Sequence, residues 1–236
     1  MSVFVLVHGA WHGAWCFEKL VPALEARGHR AVAPDLPGHG ADPAPPGEVK
    51  FADYVARVGH VLGREPQPAV LLGHSMGGLV ITQAGEDFAP RIRCLVYLAA
   101  FLPQHGESLG RLAARDSAVT PNLRPDREAG VVRFDPAGAR ETFYADCSEA
   151  DAAAATARLA PQPVAPWTQG VAIGTRYAGL PRHYIECTRD RAIPLADQRR
   201  MTGATPCRVH TLAASHSPFY SMPDRLAEVL DAIARE

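Results

Sequence analysis

The feature that most constrains this chain is a serine between glycines, placed where an apolar run meets a helix-compatible run. The apolar run covers residues 69–72, the pentapeptide Gly-His-Ser-Met-Gly follows at 73–77, and a second apolar stretch continues to residue 81. A buried strand, a sharp turn and a helix in this order expose a serine hydroxyl at the edge of a sheet. Gly78 adds a third glycine where the two backbones come close. The pentapeptide alone also occurs in ordinary turns, but its flanks indicate that Ser75 is a nucleophile.

Short apolar runs alternate with segments of helical periodicity along most of the chain. Predicted strands fall at residues 3–7, 31–35, 69–72, 93–99, 182–188 and 208–212, the last two with charged or polar residues among the apolar ones. Helical segments fall at 17–27, 51–62 and 223–235. Strands that alternate with helices predict an α/β fold with a doubly wound, mostly parallel sheet. A chain of 236 residues with this pattern is expected to form a single domain.

The alternation stops between residues 103 and 179. This stretch contains polar loop and an alanine-rich helical segment at 149–159, and it shows no convincing strand. The sheet pattern resumes afterwards, and unstructured loops of this length are rare. We therefore expect a helical cap at about 103–179, inserted into a single domain that covers residues 1–236.

Charge and composition narrow the functional class. The formal net charge is −1, so there is no basic field of the kind that attracts nucleic acid, and no apolar run approaches membrane-spanning length. The five cysteines are far apart and lack the spacing of a zinc or redox site. The first residues lack the basic region and cleavage site of a signal peptide. We expect a cytoplasmic protein that binds neither nucleic acid nor a membrane.

A serine hydroxyl is a weak nucleophile and needs a histidine base, which a carboxylate orients. In hydrolases with this strand–turn–helix serine, the chain order is serine, acid, histidine. His216 follows the last predicted strand, and Asp190 follows the strand before it. An ordinary turn aspartate is the other interpretation of Asp190, and it is the one we expect for Asp197. Glu186 is a poorer candidate because it lies inside the strand. The sequence predicts that Ser75, Asp190 and His216 form a triad.

Two backbone N–H groups are expected to stabilise the tetrahedral oxyanion. One belongs to Met76, which follows the nucleophile, and the other to the loop after the first strand, where Ala10 is best placed. His8, His12, His39 and His74 are expected to shape loops, and no histidine pair is spaced with carboxylates like a metal site. Aromatic residues are candidates for an apolar pocket, although such residues more often belong to the core. These candidates are Trp11, Trp15, Phe101, Phe143, Tyr144 and Trp167.

Five longer motifs accompany these residues. They are His-Gly-Ala-Trp-His-Gly-Ala-Trp from residue 8, Pro-Asp-Leu-Pro-Gly-His-Gly from 34, Gly-His-Ser-Met-Gly-Gly from 73, Ala-Ala-Phe-Leu-Pro from 99 and Cys-Thr-Arg-Asp-Arg-Ala-Ile-Pro from 187. Together they resemble the α/β-hydrolase superfamily, in particular the branch of plant hydroxynitrile lyases, plant methylesterases and small bacterial esterases. The resemblance spans nearly the whole chain and is weakest in the cap. It implies the triad and oxyanion donors named above, a largely apolar pocket, no metal or organic cofactor, and a possible homodimer.

The leading hypothesis is a serine hydrolase of small carboxylic esters that forms an acyl-enzyme on Ser75. One alternative is a lyase that splits cyanohydrins by acid–base chemistry without an acyl-enzyme. Another is a binding or receptor module without turnover, although the apparently intact triad argues against it. Lactonase or acyl-transfer cyclase chemistry uses the same residues and stays open.

Two positions favour the esterase over the lyase. By resemblance, one type of plant lyase has a threonine where this chain has Gly9 and a lysine where it has Ser217. The threonine helps to hold the cyanohydrin oxygen, and the lysine stabilises departing cyanide. Loss of that positive charge in a pocket of low dielectric constant is worth on the order of 10²–10³ in rate. A second lyase type has an asparagine in the first loop, which is also missing here.

Overall fold

A six-stranded parallel sheet forms the centre of the protein. The computed structural model describes residues 1–113 and 117–236. Within them the strands are β1 Val3–Val7, β2 Arg30–Val32, β3 Ala69–His74, β4 Ile92–Leu98, β5 Leu123–Asp126, β6 Val131–Phe134, β7 Gln162–Pro163, β8 Arg182–Cys187 and β9 Arg208–Leu212. The central sheet has the order β2-β1-β3-β4-β8-β9, and every neighbouring pair in it is parallel. The predicted parallel sheet is confirmed.

Helices connect the strands. They are α1 Leu20–Glu25, α2 Phe51–Arg64, α3 Gly77–Asp87, α4 Leu109–Leu112, α5 Pro136–Phe143, α6 Glu149–Ala157, α7 Ala165–Thr168, α8 Thr175–Ala178, α9 Leu195–Ala204, α10 Pro218–Ser221 and α11 Pro223–Arg235. Of the helices in the described ranges, none combines the length and the apolar character needed to cross a membrane.

The core lies between the sheet and its helices. All residues of β1 and β3 are buried, which explains their uninterrupted apolar sequences. Helix α2 buries Phe51, Tyr54, Val55, Val58 and Leu62, the spacing of one helical face. Because the strands are parallel, the loops after β1, β3, β8 and β9 all leave the sheet at one edge. Ser75, Asp190 and His216, which the sequence predicts to act together, follow strands that end at this edge.

The segment at 103–179 differs from its prediction. Five helices, α4 to α8, lie in it, but so does a three-stranded antiparallel sheet in the order β5-β6-β7. The expectation of a stretch without strands was wrong. These strands are short, β5 contains the sequence Arg-Pro, and β7 has two residues, so none shows the alternation that predicts a strand. β5 and β6 form a hairpin, and β7 pairs with it from a distant segment. The assignment of residues 1–236 to one domain stays a prediction.

Candidate active site

Ser75 lies on a strained turn between β3 and α3. Its φ is 54°, in the left-handed region that residues with a side chain rarely adopt. The turn requires glycine on both sides. A Cβ at Gly73 would lie 2.6 Å from the carbonyl oxygen of Gly77, and a Cβ at Gly77 would lie 2.6 Å from that of Val7. The serine side chain is therefore held at the carboxyl edge of the sheet, beside the N-terminus of α3.

His216 and Asp190 form a direct buried pair. His216 Nδ1 lies 2.8 Å from Asp190 Oδ2, and both side chains are almost inaccessible to solvent. The other carboxylate oxygen accepts the backbone N–H groups of Ala192 at 2.7 Å and Ile193 at 3.0 Å. These three hydrogen bonds, and a longer one of 3.5 Å from Gln198 Nε2 to Oδ2, fix the carboxylate. The carboxylate in turn fixes the imidazole so that Nε2 is the nitrogen free to take a proton.

The two competing acidic residues are engaged elsewhere. Asp197 lies on α9 and pairs with Arg200 at the surface, with 3.1 Å between Nη2 and Oδ1. Glu186 accepts hydrogen bonds from Arg199 at 2.9 and 3.0 Å, and this guanidinium lowers the pKa of the Glu186 carboxyl. Neither carboxylate is bonded to His216.

His74, directly before the nucleophile, packs against His216. The two rings lie 4.5 Å apart between centroids, and His74 Nε2 is 2.9 Å from the carbonyl oxygen of His216. Because a carbonyl only accepts, Nε2 must carry the proton of His74. Burial lowers the pKa of His74 well below its usual value. The neutral ring holds the backbone of His216 in place.

The predicted oxyanion donors, Ala10 and Met76, line a cavity together with Ser75. Both residues are buried, and within the described parts of the chain neither backbone N–H donates to a protein acceptor. A buried N–H without a partner is uncommon and costs free energy. Two such groups beside Ser75 match the donor pair that an oxyanion needs.

The cavity over Ser75 has a volume of about 230 Å³. Four predicted pocket residues, Trp11, Phe101, Phe143 and Trp167, line it, whereas Trp15 and Tyr144 do not. Its other wall residues in the described ranges, which no sequence pattern identifies, include Leu109, Gly110, Val119, Thr120, Leu123, Ala192 and Ile193, and none of the lining side chains is charged. The Phe143 ring lies 5.7 Å from the His216 ring, which places the cavity beside the His216–Asp190 pair.

A larger cavity of about 580 Å³ lies at the opposite edge of the sheet. Arg93, Arg182 and Arg208, from the first residues of β4, β8 and β9, line it. It is remote from the serine, because Ser75 follows the carboxyl end of β3. Within residues 1–113 and 117–236, no three His, Cys, Asp or Glu side chains are grouped closely enough to hold a metal ion.

Two supporting residues were missed in the sequence. Gln198 is fully buried on α9, where its amide accepts from Cys187 N–H at 3.0 Å and donates to the carbonyl of Ile193 at 2.8 Å. It thereby fixes the loop that holds Asp190. Asp146 accepts the N–H of Ser215 at 2.8 Å, directly before His216. A glutamine or aspartate in a polar stretch gives no local signal of such contacts.

Known proteins resemble this chain along almost its whole length. The model of the alpha/beta hydrolase family matches residues 4–229. The chain belongs to this family. The pyrethroid hydrolase of Sphingobium wenxiniae is 34% identical over 96% of this chain and 85% of its own length. The carbendazim hydrolyzing esterase of a Nocardioides species is 33% identical over 99% of this chain and 100% of its own.

A solved structure extends the likeness to three dimensions. The crystal structure of a pyrethroid hydrolase from Sphingobium faniae JZ-2 matches with a TM-score of 0.91 and 31% identity, covering 99% of this chain and 97% of that one. The family membership and fold that the sequence motifs predict are confirmed, and bacterial esterases of similar length are among the relatives.

Proposed function

We propose that the protein hydrolyses small, uncharged carboxylic esters through an acyl-enzyme on Ser75. The observation that supports this most directly is the convergence at one sheet edge of a serine on a strained turn, a histidine paired to a buried carboxylate, and two unpaired N–H groups. The hydrolases and esterases among its relatives favour the same chemistry.

In this mechanism, His216 Nε2 takes the Ser75 proton as the serine oxygen attacks the ester carbonyl carbon. The N–H groups of Ala10 and Met76 donate to the resulting oxyanion, and Asp190 stabilises the imidazolium. His216 returns its proton to the leaving alcohol. A water molecule, deprotonated by the same histidine, then attacks the acyl-enzyme and releases the carboxylic acid, which restores Ser75.

The cavity supports a substrate class. Its lining side chains in the described chain are apolar or neutral, so a charged acyl or alcohol group would lose its hydration without gaining a partner. A volume of about 230 Å³ favours short acyl and alcohol groups. Lactones and intramolecular acyl acceptors that meet these limits stay open as substrates.

The structure around Gly9 favours the esterase over the lyase. A Cβ at this position would lie 2.8 Å from Ser75 Cβ and 3.2 Å from His74 Nδ1. A threonine there would have to displace the turn that holds the nucleophile. The Ser217 side chain, at the position of the lyase lysine, is buried and has no hydrogen-bond partner in the described chain. It offers no positive charge to a departing cyanide.

Fluorophosphonate labelling followed by mapping of the modified residue tests this proposal. We expect label on Ser75, and we expect Ser75→Ala to lower hydrolysis of p-nitrophenyl acetate by ~10³-fold or more with the fold retained. Ser221→Ala is the matched control, since this serine on α10 has an unpaired hydroxyl in the described chain. Near-normal turnover by Ser75→Ala would refute the acyl-enzyme, and faster cleavage of mandelonitrile than of the ester would favour the lyase.

The cytoplasmic location and the homodimer remain proposals from the sequence and its resemblance. Sedimentation of the purified protein tests the dimer, and fractionation of the source cells tests the location.

A further inference from the structure

The peptide that follows the proposed oxyanion donor Ala10 is held at both ends by side chains. Its carbonyl oxygen, from Ala10, lies 2.7 Å from His12 Nδ1, and its N–H, from Trp11, donates to Gln162 Oε1 at 3.3 Å. The φ of Trp11 is 62°, which is strained for a bulky residue. A loop in this conformation needs outside contacts to stay in it.

His12 is oriented by a tyrosine from the segment at 103–179. Because the Ala10 carbonyl only accepts, His12 Nδ1 carries the proton, and Nε2 must accept. Its donor is the hydroxyl of Tyr144, at 2.7 Å. Both side chains are buried. The hydroxyl therefore selects the one tautomer of His12 that can hold the Ala10 carbonyl.

The orientation of Gln162 is equally determined. Its Nε2 donates to the carbonyl of Pro163 at 3.0 Å and to the Tyr54 hydroxyl at 3.1 Å. Its Oε1 must then face the other way, where it lies 3.3 Å from Trp11 N and 3.0 Å from His39 Nε2. Gln162 is fully buried in β7. All four of its polar contacts fit a single amide orientation.

Two further contacts join the same loop to the same segment. The Trp11 indole N–H donates to the carbonyl of Val132 at 2.9 Å, and the Trp11 carbonyl accepts the N–H of Ala160 at 2.9 Å. These contacts hold the Ala10–Trp11 peptide and the Ala10 Cα to which it is joined.

The Ala10 N–H belongs to the preceding peptide, whose Gly9 carbonyl accepts a hydrogen bond from His8 Nδ1 at 2.8 Å. The Ala10 Cα links the two peptides, so displacement of the Ala10–Trp11 peptide also displaces the Ala10 N–H.

We propose that His12, Tyr144 and Gln162 are positioning residues for the oxyanion hole, so that the segment at 103–179 contributes to the chemical step and not to selectivity alone. This inference rests on the proposed ester hydrolysis through Ser75. Its physical basis is preorganisation: a donor stabilises a transition state when it already points to the place where charge develops.

The test separates transition-state stabilisation from general damage to the fold. Loss of one complete oxyanion donor costs ~10²–10³ in kcat, and a misdirected donor costs part of that. We expect Tyr144→Phe to lower kcat about tenfold and to change KM less than about twofold. Tyr97→Phe is the matched control, because it removes an equally buried hydroxyl whose partners are Thr82 Oγ1 at 2.7 Å and the Tyr177 hydroxyl at 3.2 Å, and not a residue of the loop.

Inhibitor binding supplies a readout that a merely structural role would not change selectively. An n-pentyl trifluoromethyl ketone forms a tetrahedral oxyanion with a nucleophilic serine, whereas n-pentyl methyl ketone binds without an equivalent charge. For Tyr144→Phe and Gln162→Leu we expect affinity for the first to fall in parallel with kcat, and affinity for the second to change less than about twofold. Equal losses for both ketones would overturn the inference.

A double-mutant cycle tests whether Tyr144 acts through His12. We expect His12→Leu to lower kcat about 100-fold, and addition of Tyr144→Phe to that variant to have no further effect. His12→Asn, which places an amide N–H near the position of Nδ1, should recover part of the loss. Independent effects of the two changes, or no difference between His12→Asn and His12→Leu, would contradict the inference.

These experiments distinguish the inference from the function on which it rests. If the wild-type protein hydrolyses esters through Ser75 but Tyr144→Phe behaves like Tyr97→Phe, the positioning role alone is wrong. If Ser75→Ala retains turnover, both the proposed function and the positioning role are wrong.

Discussion

Replacement of Asp190 by asparagine gives the most direct test of the proposed triad. The two backbone N–H groups of Ala192 and Ile193 both need an acceptor, and in the native chain Asp190 Oδ1 serves both. In Asp190→Asn only the amide oxygen can take that place. The amide nitrogen must then face His216 Nδ1, where the carboxylate oxygen now lies at 2.8 Å.

This exchange of an acceptor for a donor changes which ring nitrogen of His216 carries the proton. An N–H donor opposite Nδ1 forces His216 to keep its proton on Nε2, the nitrogen that must accept the Ser75 proton. In the general serine-hydrolase triad this tautomer error lowers kcat by ~10⁴. A loss of ~10⁴ in kcat corresponds to about 5 kcal/mol of lost transition-state stabilisation. Asparagine disturbs the fold less than alanine does, because alanine would leave two buried N–H groups unpaired at a cost of about 1–3 kcal/mol each.

The assay is steady-state hydrolysis of p-nitrophenyl acetate, with thermal unfolding measured in parallel. Asp197→Asn is the control, because it makes the same chemical change at the surface, where the partner is Arg200. We expect its activity to stay within about twofold of wild type, since exposed ion pairs contribute little. Asp190→Asn with more than about a tenth of native kcat, or with a loss no greater than that of Asp197→Asn, would refute the assignment of the acid.

Two other predictions concern stability and selectivity. Burial lowers the pKa of His8, His12 and His74, and it lowers that of His12 to about 4. Below pH 6.5, these histidines therefore bind protons in the unfolded chain but stay neutral in the folded chain. The free energy of unfolding should therefore have its full value above pH 6.5. Towards pH 4 it should fall by about 1.4 kcal/mol per pH unit for each such histidine. Urea unfolding that is unchanged between pH 7 and pH 5 would contradict this. Phe143→Ala and Trp167→Ala remove aromatic rings from the cavity wall and so enlarge the cavity. Each should change the ratio of kcat/KM between butyrate and acetate esters by more than about fivefold. Equal effects on both esters would show that these rings do not set selectivity.

The serine turn could be predicted because its determinants are local. A buried strand, glycines at points of backbone contact and a helix all lie within 13 consecutive residues, 69–81. The pairing of Asp190 with His216 could be predicted from chain order, and the structure places the two side chains in direct contact. The sheet was predictable for a similar reason, since strands buried on both faces leave long apolar runs.

Features that depend on distant contacts could not be predicted. Strand β6 pairs with β5 and with β7, which lies almost 30 residues further on, and neither partner has a strand-like sequence. Helix α9 was missed because its buried face contains Gln198 and Met201, and so lacks an apolar stripe. The same applies to Gln162, since three of its four polar contacts come from separate, distant parts of the chain and the fourth from the adjacent residue.

The histidines around the serine show how one proton acceptor is singled out. His8, His12 and His74 are each buried and each donate a ring N–H to a backbone carbonyl, those of Gly9, Ala10 and His216 respectively. A carbonyl fixes the tautomer of such a ring but gives little stabilisation to a full positive charge, so burial keeps these three rings neutral. His216 differs because its ring N–H, at Nδ1, faces a carboxylate, and a carboxylate stabilises an imidazolium. In the proposed mechanism, the surrounding rings therefore hold the loops in position while the proton from Ser75 goes to His216.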